Sequence, residues 1–303
     1  RVSSGKLLVG TYGGGLSVYD EKSNTFTNLT ANRADSSTIS NDMVLAIYED
    51  NDGAIWIGTE NGLNLFIPQS YKFRRFLSKQ DTSKSLPSNI ILTFLEDRQG
   101  TLWIGTSGGG LAKWNKINRS RLDASLTRIS ELVSFPSASI YGIQQDRDGW
   151  LWLSHNRGLT RLDPETLEAH QYGVKDGLQA PEFNLGASFK STSDILYFGG
   201  IAGFNAIDPD RVSLQRVPPK VAISEIKIMN QRRQFDAAYH NLNTINLGYE
   251  DRMLSVEFFA ADYSNPDQLN YAYMLEGINP DWVVSPDSRT ASFTTLPPGK
   301  YHL

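Results

Sequence analysis

A short phrase recurs along this chain at steps of 48, 47, 49 and 45 residues. Its copies are KLLVGTYGGGL at residues 6–16, AIWIGTENGL at 54–63, TLWIGTSGGGL at 101–111, LWLSHNRGL at 151–159 and a degraded ILYFGGIAGF at 195–204. The aligned central residues are Gly10, Gly58, Gly105, Ser154 and Gly199. A period of this length is that of one supersecondary unit, so the sequence predicts an array of similar modules.

Each copy predicts two strands joined by a glycine-rich turn, because apolar and small residues alternate up to the glycines. A nearly continuous apolar run precedes the phrase, as at residues 43–48 and 90–95, and two further strands with polar outer residues follow it. Continuous apolar runs are typical of strands covered on both faces, whereas an outer strand tolerates water on its edge. The pattern therefore predicts an all-β fold built of four-stranded β-propeller blades, with the apolar strand innermost.

Three positions of the repeat are predicted to be structural. They are the aspartates and glycines of an Asp-x-x-Gly corner, and a tryptophan three residues after the corner glycine: Asp50, Gly53, Trp56; Asp97, Gly100, Trp103; Asp146, Gly149, Trp152. The carboxylate of each aspartate is expected to cap the turn, and each glycine to adopt a backbone conformation that other residues resist. The tryptophans are expected to wedge between neighbouring blades rather than to stack on a ligand.

The composition excludes several classes of function. The chain has 303 residues and a net charge of -4 at pH 7, which gives no electrostatic footprint for nucleic acid. It has no cysteine, so disulfides and thiolate metal sites are excluded, and its four histidines show no metal-ligand spacing. No P-loop occurs and we expect no cofactor. No apolar run of about 18 residues occurs either, so any membrane segment is expected outside this chain.

The repeat ends near two consecutive prolines, Pro218 and Pro219, which cannot continue a strand ladder. Beyond them the strands are longer, alternate with period two and lack the 47-residue echo, as is typical of an antiparallel, immunoglobulin-like sandwich. We therefore predict two domains, a propeller at residues 1–217 and a sandwich at 218–303. Residues 301–303 alternate like the start of a strand, so a further strand is expected to complete the sandwich.

The repeat, with its Asp-x-x-Gly corner, LWIGT strand and glycine-rich turn, resembles the two-component regulator propeller family. The second domain is similar to the Y-Y-Y domain that usually closes those sensors. The residues that carry this second resemblance are Asp262-Tyr263, YAYMLEG at 271–277, Trp282 and LPPGKY at 296–301. Two independent motif sets thus occur in the order expected for the family.

The resemblance implies the periplasmic, ligand-sensing part of a transmembrane bacterial receptor. It implies propellers of seven blades, of which five are legible here, and a homodimer coupled through or near the sandwich. It further implies a cytoplasmic output, such as a histidine kinase or a diguanylate cyclase, outside this chain. The expected ligand is a small molecule, with a carbohydrate breakdown product or oligosaccharide as the main candidate, and this segment is not expected to be an enzyme.

Blade geometry predicts where a ligand binds. The loops that lead into the inner strands and the turns that join the second and third strands lie on one face around the propeller channel. The leading loops are residues 36–42, 85–89, 134–139 and 176–184. Hydroxyl, amide and aromatic groups there suit a neutral or weakly anionic polyol. The candidate binding residues are Tyr12, Asn41, Asn89, Tyr141, Arg157, Glu182, Phe183 and Asn184.

Other interpretations stay open at this point. Asn41 and Asn89 are also suited to capping the turns that begin the inner strands. Asp176 and Glu182 are the one carboxylate pair that a propeller hydrolase could use, which requires two carboxylates facing each other across a groove. A third alternative is a protein-interaction scaffold whose channel binds nothing. Within the predicted sensor, the loop at 176–184 is the strongest candidate because it replaces the shorter Ser-Asn loop of the other copies.

Overall fold

The computed structural model describes residues 1–79, 84–212, 220–242, 244–260, 271–285 and 289–303. The chain divides into two compact units, Arg1–Val212 and Ser213–Leu303, which we call the propeller unit and the sandwich unit. The predicted boundary between residues 217 and 218, with the two prolines, lies outside the described residues and stays a prediction. Asp262 and Tyr263 lie outside them as well.

The propeller unit contains five antiparallel sheets within the described residues, which we number as blades 1 to 5. Blade 1 has β1 (Leu7–Gly10), β2 (Leu16–Asp20) and β3 (Thr25–Leu29). Blade 2 has β4 (Val44–Glu49), β5 (Ile55–Thr59), β6 (Gly62–Ile67) and β7 (Lys72–Phe76). Blade 3 has β8 (Ile91–Glu96), β9 (Leu102–Thr106), β10 (Leu111–Trp114) and β11 (Thr127–Arg128). Blade 4 has β12 (Gly142–Gln145), β13 (Leu151–His155), β14 (Gly158–Leu162) and β15 (Ala169–Tyr172). Blade 5 has β16 (Phe183–Lys190), β17 (Leu196–Gly200) and β18 (Gly203–Ile207). The predicted all-β blades are confirmed.

The blades differ in how many of the four strand positions they fill. Blades 2, 3 and 4 have four strands paired in sequence order, as predicted. Blade 1 consists of the second to fourth positions, since β1 carries the repeated phrase, and blade 5 shows the first to third positions among the described residues. The first-position strands β4, β8, β12 and β16 therefore each lie at one edge of their sheet.

Blade 3 carries an insertion that the repeat did not predict. Helix α1 (Lys116–Ser120) lies between β10 and β11, and the side chain of Asn115 caps it by accepting a hydrogen bond from the Asn118 N–H at 2.8 Å. Such a cap satisfies one of the unpaired N–H groups of the first turn. Single turns of 3₁₀ helix occur at Ile129–Glu131, Val174–Asp176, Pro209–Arg211 and Tyr239–Asn241.

The Asp-x-x-Gly corners form the predicted turns, and their aspartates also bind the tryptophans. In blade 2, Oδ1 of Asp50 accepts the N–H groups of Asp52 and Ala54 at 3.1 and 2.8 Å, and Gly53 has a φ of +81°. Oδ2 of the same carboxylate accepts the indole N–H of Trp56 at 2.9 Å. Blades 3 and 4 repeat these bonds from Asp97 to Trp103 and from Asp146 to Trp152. The shared aspartate therefore fixes both the turn and the orientation of the tryptophan.

The predicted wedge role of the tryptophans is confirmed. The ring of Trp56 in blade 2 lies 5.2 Å from the ring of Trp114 in blade 3, centroid to centroid. Trp103 packs against Ile143 of blade 4, and Trp152 packs against Phe198 of blade 5. Each of the three tryptophans is buried at the boundary with the next blade. They are packing residues that join neighbouring blades.

The same position in blade 5 has a different environment. Tyr197 stands where the other blades have tryptophan, and its ring neighbours are Phe189 and Phe204, with centroids 6.4 and 6.1 Å away. Phe189 and Phe204 are exposed, whereas the opposite face of β17, with Leu196 and Phe198, is buried against blade 4. Blade 5 thus keeps the aromatic character of a blade boundary.

The central small residue of the phrase is required by close packing between blades. A Cβ atom on Gly58 would lie 2.8 Å from Cγ2 and 3.0 Å from the carbonyl oxygen of Ile91, on the inner strand of blade 3. Gly10 and Gly105 are similarly close to Val44 and Ile140 of the following blades. The glycine therefore recurs because the next inner strand passes directly over it.

This contact gives a stability prediction. Gly58→Ala should lower the free energy of unfolding by about 1–3 kcal/mol, because the added methyl group overpacks the boundary between blades 2 and 3. Gly173→Ala is the matched control, since Gly173 has a φ of -130° and no atom within 4 Å of an added Cβ. Its stability in urea denaturation should be unchanged or slightly raised. Equal losses in both variants would contradict the packing explanation.

Among its described residues, the sandwich unit has two antiparallel sheets around one core. One sheet has the strand order β20-β19-β21-β24 and the other pairs β22 with β23. Their bounds are β19 (Val221–Ile228), β20 (Gln231–Arg232), β21 (Leu254–Ala260), β22 (Tyr271–Tyr273), β23 (Val283–Ser285) and β24 (Thr290–Phe293). Ile226, Phe258, Tyr271 and Phe293 join both sheets in one buried cluster. This confirms the predicted antiparallel sandwich.

Candidate functional site

The two predicted sets of loops lie together on one side of the propeller unit, which we call the loop face. It consists of the loops leading into the inner strands and the turns between the second and third strands. The Gly62 N–H of blade 2 donates to the Asn89 carbonyl of blade 3 at 2.7 Å, and the Gly110 N–H of blade 3 donates to the Ala138 carbonyl at 2.7 Å. In blades 2 and 3 the turn is thus bonded to the loop that leads into the next blade. The loop face therefore extends across these blade boundaries.

Two of the predicted ligand residues have structural roles on this face. The Asn41 Oδ1 accepts the N–H of Met43 at 2.7 Å, so Asn41 caps the turn that begins β4. The Asn89 Oδ1 accepts the N–H of Ser78 at 2.7 Å and so fixes the segment after β7. Asn89 therefore does not cap its own turn. Each of the two side chains thus uses its amide oxygen to accept a backbone N–H.

Two arginines on outer strands fix the leading loops through hydrogen bonds to loop carbonyls. The sequence analysis did not identify these two residues. Arg75 of β7 donates to the carbonyls of Thr38 and Ile39 at 2.7 and 3.0 Å. Arg128 of β11 donates to the carbonyls of Ser85 and Leu86 at 3.0 and 3.3 Å. A guanidinium group suits this task because it offers five donors in a fixed plane. Both arginines lie on outer strands, but the insertion of α1 changes their spacing and so hid the equivalence.

The long loop at 176–184 is anchored in several places. The Asp176 carboxylate accepts the Gly173 N–H at 2.8 Å and so caps a 3₁₀ turn. Gln179 accepts the Ala202 N–H at 2.7 Å through its side chain, and its own N–H donates to Oδ1 of Asn205 at 3.0 Å. These bonds tie the loop to the β17–β18 turn. These hydrogen bonds therefore fix the position of the loop on the loop face.

Phe183 is a correction to the predicted site. Its side chain is 1% exposed and packs against Phe198 in the core between blades 4 and 5. It therefore cannot stack on a ligand, because its ring is a blade-boundary residue at the start of β16. Its neighbours Glu182 and Asn184 are exposed, as predicted.

Tyr12 and Glu60 meet across blades 1 and 2. The Tyr12 hydroxyl donates to Oε1 of Glu60 at 3.3 Å, while 74% of the tyrosine stays exposed. Tyr141, another predicted aromatic residue, is half-buried at the start of blade 4. An exposed aromatic ring next to a carboxylate offers both a flat apolar surface and a hydrogen-bond acceptor.

The turn between β13 and β14 combines exposed and buried groups. Asn156 and Arg157 are exposed, and Arg157 is the cation predicted for this face. His155, in contrast, is fully buried. Its Nδ1 accepts the Arg157 N–H at 3.1 Å, and its Nε2 lies 3.0 Å from Oγ1 of Thr160. Burial, with a smaller contribution from the nearby Arg157 charge, lowers the pKa of His155 to about 4.

The loop face thus presents hydroxyl, amide, carboxylate and guanidinium groups. The exposed or half-exposed members are Tyr12, Glu60, Asn61, Ser107, Ser139, Asn156, Arg157, Glu182 and Asn184. Across the described part of the chain, no cluster of three or more His, Asp or Glu side chains is arranged to hold a metal ion. In the same residues no helix is long and apolar enough to cross a membrane.

Parts of the chain match two families of known proteins. Three segments, residues 38–61, 85–108 and 134–157, match the two component regulator propeller, and residues 262–303 match the Y_Y_Y domain. The chain carries two-component regulator propeller repeats and a Y_Y_Y domain. The resemblance seen in the sequence is thereby confirmed. Each propeller match covers a leading loop, an inner strand, a corner and the phrase strand, which are the structural elements described above.

The chain is similar to parts of longer proteins. The chain is 26% identical over 308 residues to the protein named Histidine kinase P4 of Formosa agariphila, and it spans 97% of its own length but 22% of that protein. It also resembles the extracellular domain of BT3049 of B. thetaiotaomicron, assigned to the hybrid two-component systems, at 25% identity and a TM-score of 0.54. That match covers 99% of this chain and 46% of the other.

A third relative shares the fold. The extracellular domain of BT4673 of B. thetaiotaomicron, described as a one component system, matches with a TM-score of 0.51 at 22% identity, over 99% of this chain and 40% of the other. The chain therefore spans less than half of each of these relatives. Its similarity is to extracellular domains and to part of a histidine kinase.

Proposed function

We propose that this chain is a ligand-sensing segment of a transmembrane bacterial receptor, located on the periplasmic side of the membrane and without catalytic activity of its own. The observation that carries the proposal is that the shared and the variable residues of the propeller unit have different roles. The residues shared between repeats all serve turns and blade boundaries, whereas the exposed groups of the loop face differ from blade to blade. Similarity to extracellular domains of two-component systems supports this assignment.

The proposed ligand is a small polyol, with an oligosaccharide as the leading candidate. Hydroxyl and amide groups on the loop face can donate to and accept from sugar hydroxyls, and Tyr12 offers an exposed ring. Glu60 and Glu182 are balanced in part by Arg157, so the face suits neutral or weakly anionic ligands. The sandwich unit would relay binding to a cytoplasmic output, and the receptor would act as a homodimer.

The alternative of a propeller hydrolase has less support. It needs one carboxyl group as a general acid and a second as a base or nucleophile on the opposite side of the bond. The Asp176 carboxylate is used as a cap on the Gly173 N–H, and Glu182 is exposed. The arrangement favours binding over hydrolysis.

Thermal unfolding in the presence of neutral and uronic-acid oligosaccharides tests the proposal. A binding oligosaccharide at about 100 times its Kd should stabilise the protein by about 2.7 kcal/mol. Arg157→Ala should weaken that binding by about 10- to 100-fold, because a hydrogen bond from a charged group is lost. Arg121→Ala, which removes an exposed arginine at the end of α1, is the matched control.

The same samples are assayed for release of reducing ends. We expect none. Hydrolysis that disappears in Glu182→Gln would overturn the proposed function and favour the enzyme alternative. Failure of every oligosaccharide to stabilise the protein would instead favour an interaction scaffold.

A further inference from the structure

A cavity lies between the inner strands of the propeller unit. It has a volume of about 250 Å³ and is lined only by residues of the four inner strands β4, β8, β12 and β16. It therefore belongs to the junction of blades 2 to 5 and not to the loop face. Its lining includes the side chains of Tyr48, Thr93, Phe94, Gln144 and Ser188.

The strand edges give this cavity a polar wall. Each of the four inner strands is the edge strand of its sheet, so its channel side has no neighbouring strand in that sheet. Backbone N–H and C=O groups on such an edge require hydrogen-bond partners other than a ladder. One such bond crosses between blades, from the Gly186 N–H to the Tyr141 carbonyl at 3.2 Å.

Irregular pairing occurs at the same level in three of the four strands. The register shifts between Val44 and Ala46 in β4, between Ile91 and Thr93 in β8, and between Phe183 and Ser188 in β16. The residues within these shifts, Leu45, Leu92 and Gly186, all line the cavity. Bulges free backbone groups from the ladder and redirect side chains, and they are common beside binding sites.

Side chains add both polar and apolar groups. The Gln144 Nε2 donates to Oγ of Ser188 at 3.1 Å, which leaves the amide with a second N–H and an acceptor oxygen. The Tyr48 hydroxyl accepts the Glu96 N–H at 2.9 Å, and burial raises the pKa of Tyr48, so its hydroxyl is a neutral donor. Phe94 and the ring of Tyr48, 6.2 Å apart between centroids, form an apolar wall.

The lining contains no Asp, Glu, Lys, Arg or His side chain. The lining therefore offers a charged ligand no ionic partner, which disfavours such a ligand. The cavity is smaller than the roughly 300–1,000 Å³ of sites for drug-sized ligands. Size, charge and lining therefore agree on a small, uncharged molecule that carries several hydrogen-bonding groups and one apolar side.

We propose that the channel cavity binds one neutral, monosaccharide-sized cyclic polyol through Gln144, Ser188 and the free edges of the inner strands. This deepens the proposed sensor function, on which it rests, because a ligand there contacts four blades at once. It adds a site within the channel to the candidate site on the loop face. A bound polyol would link the inner strands of blades 2 to 5.

Isothermal titration of the 303-residue chain with D-galactose and with myo-inositol tests this site, and D-galacturonate serves as the charged analogue of galactose. We expect one molecule of a neutral probe per chain, and binding of galacturonate that is weaker by about tenfold or more. Gln144→Met, which replaces the amide with an apolar side chain of similar length, should weaken the neutral probe by about tenfold. Gln171→Met, on the exposed strand β15 of the same blade, should leave binding unchanged.

Thr93→Val is a second variant of nearly equal volume and keeps the test valid if Gln144→Met fails to fold. Loss of probe binding in Arg157→Ala with full binding in Gln144→Met would overturn the channel site and leave the proposed function standing. Absence of binding by every neutral probe, while oligosaccharides still stabilise the protein, would overturn it as well. The reverse result, channel binding without any effect of oligosaccharides, would support the channel site and contradict the ligand site on the loop face.

Discussion

Arg119→Met is expected to lower the free energy of unfolding of the propeller unit by about 3–5 kcal/mol. Arg119, at 3% exposure, lies on α1 and reaches into the boundary between blades 2 and 3. Its Nε lies 3.2 Å from Oδ2 of Asp50, and its Nη2 pairs with the Glu96 carboxylate. Both carboxylates are buried. Removing the cation leaves two uncompensated negative charges inside the protein. Buried charges without a partner strongly destabilise the folded state.

Lys116→Met provides the matched control for this prediction. Lys116 lies on the same helix and its Nζ is 3.0 Å from Oδ1 of Asp52, but the side chains are 51% and 48% exposed. Exposed ion pairs contribute about 1 kcal/mol or less because water screens them. Urea denaturation of both variants therefore separates the buried cluster from general effects of charge on α1. Equal losses in the two variants would contradict the assignment of the stability to the buried cluster.

The Arg119 cluster also connects the blades that frame the channel. Glu96 accepts the Asn51 N–H of blade 2 at 2.6 Å, and the Glu96 N–H donates to the Tyr48 hydroxyl at 2.9 Å. Tyr48 in turn lines the channel cavity. A series of direct bonds thus connects Arg119 to one wall of the cavity. Any weaker binding of a channel ligand by Arg119→Met would follow from this chain of contacts.

The repeat predicted the fold well because its shared residues act locally. The corner aspartate bonds to the backbone two and four residues ahead of it, and Gly58 is set by a single contact with the next strand. The corner recurs in blades 2 to 4 and the central small residue in all five blades, so both leave a visible period in the sequence. The inserted helix α1 breaks the period once, and its partner residues could not be placed from spacing.

The loop face was located correctly from blade geometry, but single residues on it were not. Side-chain direction in an irregular loop has no period, so the sequence could not distinguish the buried Phe183 from its exposed neighbours. Asn89 looked equivalent to Asn41, yet it stands at the repeat position of Asp42, whose Oδ1 accepts the Ala31 N–H just as Asn89 accepts that of Ser78. The channel cavity arises from bulges, which depend on pairing between strands and leave no simple pattern.

The stability of the protein is expected to fall as the pH drops from about 6.5 to about 4, in part because of His155. The imidazole has a pKa near 6.5 when exposed, and burial lowers its pKa to about 4 in the folded protein. Between these values the unfolded chain binds a proton that the folded chain does not, so acid favours unfolding. A difference of this size corresponds to about 3 kcal/mol, which is lost in full only below the folded pKa.

His155→Thr should remove this part of the pH dependence. Thr59 and Thr106 occupy the same position in blades 2 and 3 and donate to the carbonyls of Gly62 and Gly110 at 2.9 Å, so threonine is compatible with the turn. We expect the free energies of unfolding at pH 7 and pH 4 to differ by about 3 kcal/mol less in His155→Thr than in the parent protein. His170→Gln, which changes a partly exposed histidine of the same blade, is the control. Urea denaturation across this pH range measures all three, and parallel curves for His155→Thr and the parent would show that the buried imidazole does not titrate in this way.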